Sequence, residues 1–236
     1  MTGPDGVLLA IETSQREGSV ALRLSDGSIL EHVFPCGSRG EDHLLPSIDA
    51  IFAQADLTPA DLATVAVGIG PGGFTGLRIA TSTAKGLAEG TGCRLVSVPS
   101  AMVAAESTVS PDEQALPVVV LAAAKSVTCW LSRLDHDGER WIESDRSDLH
   151  VIDPPDETVL ELCRGAIVLA DRFIPEGFAR RLSGVHGIRE PKLSATACAR
   201  IAHGLLTDGR VTDPLEMTPL YPREPEAVSL WKARKG

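Results

Sequence analysis

The stretch GIGPGGFTGLR, residues 68–78, lies between a predicted strand and a predicted helix and carries five glycines in nine positions. Glycine permits positive φ and lets another backbone or a ligand come close. The first N–H groups of the following helix favour an anion. Two interpretations stay open: a tight turn that only joins strand to helix, or an anion or nucleotide contact made by Gly70, Gly72, Gly73, Thr75, Gly76 and Arg78.

Two phosphate-binding patterns fit this stretch incompletely. The spacing of Gly68, Gly70 and Gly73 matches the dinucleotide fingerprint, which belongs in the first βαβ unit of a fold. Here three predicted strands and a helix come first, and the next strand ends at Val98 without an acidic residue for a ribose. The Walker pattern is absent because no Gly-Lys-Ser/Thr follows the glycines.

Upstream of the turn the pattern predicts three antiparallel strands and one helix. Asp26-Gly27 is a hairpin signal between the second and third strands. The predicted ranges are 7–12, 18–24 and 29–34 for the strands and 42–55 for the helix. Pro46 falls inside this helix and lacks an N–H, so the helix either begins nearer His43 or kinks.

The rest of the chain repeats this order. A strand (64–68), a helix (75–89), a strand (93–98) and a helix (100–106) complete the first half. The second half is predicted as strands 118–123, 127–134 and 139–145, helix 157–163, strand 166–171, and helices 176–182 and 195–206. The order βββαβα, occurring twice, predicts an α/β fold with two lobes. This is the actin-like, ribonuclease-H-like duplication, here with a degenerate second lobe. We place the first lobe at 1–106, with 211–236 returning to it, and the second at 107–210.

The helix after the turn has two kinds of surface. Leu77, Ala80, Ala84, Leu87 and Ala88 form one apolar stripe, and much of the remainder is small. Glycine inside a helix costs about 1 kcal/mol against alanine, so a close contact would explain Gly86. The helix at 42–55 is also apolar over more than one stripe. We therefore predict a two-helix subunit interface, with the core of this chain as the alternative; its residues are Leu44, Ile48, Ile51, Ile79, Thr83 and Gly86.

The sequence offers no recognisable catalytic or metal-binding pattern. The six histidines are isolated, and no Gly-x-Ser-x-Gly elbow occurs. Glu12 ends the first strand, where actin-like ATPases place a carboxylate, and could position a metal-bound water. At the corresponding place in the second half, 122–125 read Ala-Ala-Ala-Lys, with neither carboxylate nor glycine. We predict no catalytic residue, no metal and no ATP hydrolysis.

Net charge, cysteine content and the length of apolar runs restrict the classes of protein to which this chain can belong. The net charge of −10 disfavours extensive nucleic-acid binding by this chain alone, although Arg223, Lys232, Arg234 and Lys235 form a local basic cluster. Five scattered cysteines fit reduced thiols rather than a disulfide framework. No apolar run reaches about 18 residues, so we expect a cytoplasmic protein without membrane contact.

Four segments together resemble the bacterial TsaB (YeaZ-type) family. They are LAIETS (9–14), GPGGFTGLR (70–78), AKGLA (84–88) and PLYPR (219–223). The glycine-rich segment is the specific one, and the others support it. The similarity is strong over 7–102, weak through the second lobe, and returns near 217–232.

This resemblance implies an actin-like, catalytically silent protein that pairs with the related TsaD. TsaD carries the metal and the active site, and the ATPase TsaE joins the complex. Together they install N6-threonylcarbamoyladenosine beside the tRNA anticodon, from threonylcarbamoyl-adenylate. In the family, contact with TsaD and self-pairing into a homodimer use the first-lobe helices, here 42–55 and 75–89. We therefore expect no cofactor on this chain, ATP and metal on its partners, and only indirect contact with tRNA.

The sequence departs from the family at three places. Glu12 replaces an Asp, 123–125 replace Asp-Ala-Arg, and Gly40 stands where a histidine is usual. These departures weaken any assignment of individual second-lobe site residues. The alternatives to a scaffold subunit are an actin-like ATPase or small-molecule kinase, and a plain homodimeric interaction module.

Overall fold

A computed structural model describes residues 6–36, 43–125, 127–144, 149–182 and 188–220. Gly40, the basic cluster at 223–235 and the rest of the returning segment beyond Leu220 lie outside the described residues. In the described part, no helix combines the length and the apolar character needed to cross a bilayer.

The first sheet has five strands in the order β3-β2-β1-β4-β5. They are β1 Val7–Glu12, β2 Glu17–Arg23, β3 Ile29–Pro35, β4 Leu62–Gly68 and β5 Arg94–Val98. β1 pairs antiparallel with β2 and parallel with β4, and β4 is parallel to β5. β1 and β4 are buried almost throughout, because helices cover both faces of the sheet.

Helices α1 (Leu44–Ala55) and α2 (Phe74–Thr91) cover one face of this sheet. α1 packs on β2 and β3, and α2 packs on β4 and β5. α1 begins directly after His43, so Pro46 lies in the first turn, where its missing N–H costs no helical bond. The interpretation with a late start is therefore confirmed, and the kink is not needed.

The second sheet repeats the first with one difference. Its strands are β6 Val118–Lys125, β7 Thr128–His136, β8 Trp141–Glu143, β9 Leu149–Ile152 and β10 Ile167–Ala170. β8 pairs with the second half of β7 and β9 with the first half, so two short strands replace the single third strand expected at 139–145. That prediction was wrong in extent, because β8 ends at Glu143 and Leu149–Ile152 form a separate strand. Arg189 makes a parallel bridge to Leu169, at the position that β5 holds in the first sheet.

Four more helices complete the fold, of which two lie between the sheets. They are α3 Ser100–Thr108, α4 Glu157–Cys163, α5 Glu176–Leu182 and α6 Ala195–Thr207. α3 packs on the second sheet although the expected division put it in 1–106, and α6 packs on the first although it fell in 107–210. Leu193 and Ile201 contact both clusters, so the lobes share a helical layer. The boundaries at 106 and 210 stay a prediction.

After α6 the chain crosses back over the first sheet; we call residues 211–220 the strap. Thr212 bridges to Leu95, with its N–H 2.8 Å from the Leu95 carbonyl oxygen. Met217 is buried in the core beneath α1 and α2. The Leu220 N–H donates to the Ile69 carbonyl at 2.7 Å, which brings the strap to the glycine-rich turn.

Candidate functional site

The glycine-rich turn packs against the loop that follows β1. The Gly73 N–H donates to the Ser14 carbonyl at 2.7 Å. A Cβ on Gly72 would overlap the Ser14 backbone and side chain, and one on Gly76 would lie 2.6 Å from the Thr13 carbonyl oxygen. These glycines are therefore needed for close approach inside the chain, whatever the turn does besides.

Glu12 lies under this turn, with 1% of its surface exposed. Its carboxyl accepts hydrogen bonds from the Ser14 N–H at 2.7 Å and from the Ser100 hydroxyl at 3.0 Å. Ser100 Oγ in turn accepts from the Gly70 N–H at 3.1 Å. A Cβ on Gly68 would overlap the Glu12 carboxyl, so the absence of a side chain at Gly68 makes room for that carboxyl. The network joins the end of β1, the turn and the start of α3.

Burial raises the pKa of Glu12 from its ordinary value of 4.5, although hydrogen bonds from Ser14 and Ser100 oppose the shift. The carboxyl does not line the cleft described below. The expectation that Glu12 could position a metal-bound water is thus contradicted. The Glu12 side chain, which is longer than the Asp usual in the family, lies under the turn, and both of its carboxyl oxygens accept hydrogen bonds there.

A cleft of about 430 Å³ separates the lobes next to the turn. From the first lobe it is lined by residues 13–16 and 72–76, and from the second by Ala122, Ala123, Asp171 and Phe173. The Arg16 guanidinium stacks over the Phe173 ring at 4.6 Å and so spans the cleft. The hydroxyl oxygens of Thr13 and Ser14 are buried and have no hydrogen-bond partner within the described residues.

Only the first-lobe side of this cleft offers groups that favour an anion. The N-terminus of α2 opens onto it with no side-chain cap, which favours negative charge. Among the described lining residues, the second lobe contributes no basic side chain, and it adds Asp171. Burial raises the pKa of that carboxyl from its ordinary value of 3.8.

The structure brings together four of the six residues predicted at the turn. Gly72, Gly73, Thr75 and Gly76 line the cleft. Gly70 is buried with φ of +99°, and its role is to bend the chain. Arg78 is exposed and does not line the cleft itself, but its guanidinium stacks at 4.1 Å on the ring of Phe74, which does.

The residues predicted for the interface divide between core and surface. Leu44, Ile48 and Ile51 are buried in this chain's own core, so they are not accessible to a partner. The wide apolar surface of α1 packs on both β2 and β3. The prediction that Leu44, Ile48 and Ile51 belong to a subunit interface was therefore wrong. On α2, Ile79 is 38% exposed, Thr83 is half-buried and Gly86 is exposed. Whether these three contact a partner stays a prediction.

Sequence reasoning missed two exposed apolar side chains on the same pair of helices. Leu45 is 52% exposed on α1, and Phe74 is 51% exposed at the start of α2. Leu45 lies next to Leu44 in sequence and is therefore turned away from the buried stripe. The signal that could have separated them is the 100° step between neighbouring helical positions.

Comparisons with known proteins agree on one family. Residues 39–143 match the family model described as TsaD, tRNA N6-adenosine threonylcarbamoyltransferase. The protein named tRNA threonylcarbamoyladenosine biosynthesis protein TsaB from Escherichia coli is 34% identical over 99 residues, 42% of each chain. The TsaB protein of Buchnera aphidicola is 30% identical over 138 residues, 58% of this chain and 61% of its own length. The chain thus aligns with less than two thirds of these relatives.

Solved structures extend the similarity over nearly the whole fold. YeaZ from Pseudomonas aeruginosa superimposes with a TM-score of 0.76 at 21% identity, covering 92% of this chain and 99% of that one. A second structure from the same organism, of a protein described as similar to peptidase YEAZ, gives 0.77 at 22% identity, covering 92% and 100%. At this identity the likeness shows the fold, and it covers both lobes.

Proposed function

Because the chain belongs to the TsaB/YeaZ family of the actin-like superfamily, we propose that it takes part in tRNA threonylcarbamoyladenosine biosynthesis as a non-catalytic scaffold subunit. Its partner is a TsaD protein, which supplies the active site. TsaE joins through the complex, and tRNA is contacted indirectly. ATP and the metal belong to the partner subunits.

The proposal that this chain is not catalytic rests on the position of the Glu12 carboxyl. A carboxylate that orients a metal-bound water must present its oxygens to the reaction site. In this chain both Glu12 oxygens accept hydrogen bonds beneath the turn, and the side chain is buried. Across the cleft, Ala122 and Ala123 offer no replacement group, and the Asp171 carboxyl accepts the Phe173 N–H at 2.8 Å. The chemistry is therefore assigned to the partner.

The surface proposed for TsaD is the outer side of α1 and α2. These helices lie on the same face of the first sheet and bury their apolar stripes against it. Their outer side carries Leu45 and Ile79, both partly exposed, and the positions Gly86 and Gly90, where a Cβ would meet no described atom within 4 Å. Small residues allow another helix to come close, and burial of the apolar side chains stabilises the contact. A homodimer through the same surface would compete with TsaD.

Reconstitution tests this proposal directly. The full chain is mixed with its cognate TsaD, TsaE, threonylcarbamoyl-adenylate and tRNA, and the modified nucleoside is measured. We expect modification only when this chain is present, together with co-elution of the chain and TsaD. Equal modification in a mixture lacking this chain would refute the proposal.

One observation favours a second candidate, an actin-like ATPase or small-molecule kinase. The N-terminus of α2 opens onto the cleft beside Thr13 and Ser14, whose buried hydroxyls have no hydrogen-bond partner among the described residues. An enzyme using that cleft would bind ATP with magnesium and turn it over without a partner.

A further inference from the structure

The outer edge of the first sheet is formed by β3, whose partner strand among the described residues is β2. In an antiparallel pair, opposite residues exchange hydrogen bonds at every second position. The Cys36 N–H donates to the Arg16 carbonyl at 2.6 Å, and the Leu24 N–H donates to the Ser28 carbonyl at 2.8 Å. Both pairs continue the β2–β3 register, so the even-numbered residues of β3 are the ones that bond β2.

The odd-numbered residues of β3 therefore direct their N–H and C=O groups away from β2. They are Ile29, Glu31 and Val33, whose backbone groups make no printed bond to another described residue outside the ladder. Pro35 holds the next such position, where its missing N–H costs no ladder bond. This edge thus offers a row of alternating donors and acceptors to an added strand.

A groove of about 500 Å³ lies beside this edge. Glu31 and Val33 line it from β3, on the face of the sheet opposite to α1 and α2, and Phe173 lines it from the second half of the chain. Val33 is 53% exposed and Phe173 is 48% exposed. Burial of both against an apolar side chain in the groove would stabilise a complex.

The Glu31 carboxylate stands in the middle of the edge. It accepts the Thr196 N–H at 3.1 Å and forms no ion pair with a described residue. Glu17 lines the same groove, also without an ion pair to a described residue. In an added strand, the residue opposite Glu31 would have its Cα about 5.5 Å away. A basic side chain there is favourable, whereas an acidic one is not.

The cations of the groove do not neutralise Glu31. The guanidinium groups of Arg16 and Arg172 lie over the Phe173 ring, at 4.6 and 5.2 Å from its centre. Lys192 also lines the groove and forms no ion pair with a described carboxylate. The charge on the edge therefore selects a strand that brings its own cation.

We propose that the outer edge of β3 binds an extended segment of a protein partner as a sixth, antiparallel strand of the first sheet. The segment places an apolar residue opposite Val33 and, two positions later, a basic residue opposite Glu31. A second copy of this chain fits less well, because the outward positions of its β3 hold no basic residue. The surface is separate from the outer side of α1 and α2, so the proposal does not depend on the proposed function.

Fluorescence anisotropy with a labelled acetyl heptapeptide, TTLTKTV, tests the docking on the full chain. Its third residue faces Val33 and its fifth faces Glu31. The control peptide TTKTLTV exchanges these two residues at constant composition. We expect saturable binding of the first peptide and roughly fivefold weaker binding of the second. Equal affinities, tighter binding of the control, or no saturation by either peptide up to about 1 mM would overturn the proposal.

Variants of the chain separate the backbone from the charge. Val33→Pro deletes an outward N–H and spares the ladder with β2, so it should abolish binding. Leu45→Thr, which removes a side chain of similar exposure from α1, should leave binding unchanged. Glu31→Lys should weaken binding of TTLTKTV about fivefold and restore tight binding to TTLTETV. Failure of this rescue would contradict the assigned register, whatever the stability of Val33→Pro.

Amide hydrogen exchange shows whether a strand is added. In the protein without peptide, the amides of Leu30 and His32 should exchange slowly because they bond β2, and those of Glu31 and Val33 quickly. Saturation with TTLTKTV should slow exchange at Glu31 and Val33 by about tenfold or more. Binding without this slowing would place the peptide elsewhere and overturn the proposal. Peptide affinity that falls as the protein concentration rises would assign the edge to a second copy instead.

Discussion

At the residue scale, Glu12 and the glycines around it form one packed unit. The carboxyl needs the space above Gly68, and the loop at Thr13 and Ser14 needs the missing side chains of Gly72 and Gly76. The glycine pattern that resembles a phosphate loop is thereby explained by contacts inside the chain. An anion contact at the α2 N-terminus would add to this packing role and is not required by it.

Replacing Glu12 separates its charge from its packing. Because its pKa is raised in the folded protein, the folded state holds the proton more tightly than the unfolded chain does. The stabilisation is therefore complete below about pH 4.5 and is lost as the pH rises through the folded pKa. Glu12→Gln should abolish this dependence, so its free energy of unfolding should rise relative to the parent protein as the pH increases above 4.5. Urea unfolding at several pH values measures the difference.

Glu12→Ala provides the contrast. It leaves the Ser14 N–H and the Ser100 hydroxyl without an acceptor and opens a cavity, at a cost of about 2–4 kcal/mol. If both variants were as stable as the parent at every pH, the buried network would have no structural role.

Two alanine substitutions distinguish close approach from helix propensity. Gly76→Ala should destabilise the fold by about 1–3 kcal/mol, because its Cβ would press on the Thr13 carbonyl. Gly86→Ala lies in the same helix with open space, and should stabilise the fold by about 0.5–1 kcal/mol. Thermal and urea unfolding of the pair decide the matter. Equal effects would mean that the turn can move away from the loop.

At the scale of elements, the two sides of α2 differ. Leu77, Ala80 and Ala84 are buried on the side that faces the sheet, while Ile79 and Gly86 on the other side are exposed among the described residues. The strap ties the start of this helix to β5 through Thr212, Met217 and Leu220. The orientation of the outer side thus depends on residues more than 120 positions away in sequence.

Gly86→Leu tests the outer side as a partner surface. A Cβ at position 86 meets no described atom within 4 Å, so the monomer should stay folded and should be no less stable. Overpacking at a close helix contact costs about 1–3 kcal/mol, so affinity for TsaD should fall roughly tenfold or more. Light scattering and calorimetry measure this.

The matched control is Gly204→Leu on α6, where a Cβ also meets open space. It should leave TsaD binding unchanged. Loss of binding in both variants would indicate a general effect of leucine on the protein, and retention in both would remove α2 from the interface.

At the scale of the whole molecule, two similar sheets enclose a shared layer formed by α3 and α6. Each of these helices packs on the sheet of the other half of the chain. The Arg189 guanidinium also makes two hydrogen bonds with Glu113, at 2.9 and 2.5 Å. If the lobes moved relative to each other about the cleft, the packing of α3 and α6 on the two sheets would be disrupted. We therefore expect the lobes to move as one body, which is compatible with a scaffold role.

Nucleotide titration tests the whole-molecule assignment. We expect no saturable heat from ATP with magnesium up to about 1 mM, and no phosphate release above background, because the second lobe offers no basic lining group among the described residues. Binding and turnover that are lost in Thr13→Val or Ser14→Ala would establish the enzymatic alternative instead.

The amino-acid sequence by itself determined the order and kind of nearly all elements. Period-2 and period-3.6 patterns, together with Asp26-Gly27 and the glycine-rich turn, act locally, so they placed β1, β3 and α4 within a residue of their observed bounds. The family motif at 70–78 is local as well. The split of the third strand into β8 and β9 was not predicted, because short strands carry too few residues for a clear period.

Only the tertiary structure decided which face of each helix is free and what Glu12 does. The spacing of Leu44, Ile48 and Ile51 shows that they share a face, but only the sheet beneath them shows that this face is buried. The sequence left open that Glu12 could position a metal-bound water, because its burial and hydrogen bonding depend on Ser100, 88 positions away. Long-range packing leaves no local period, so the sequence specifies the elements while their contacts assign the roles.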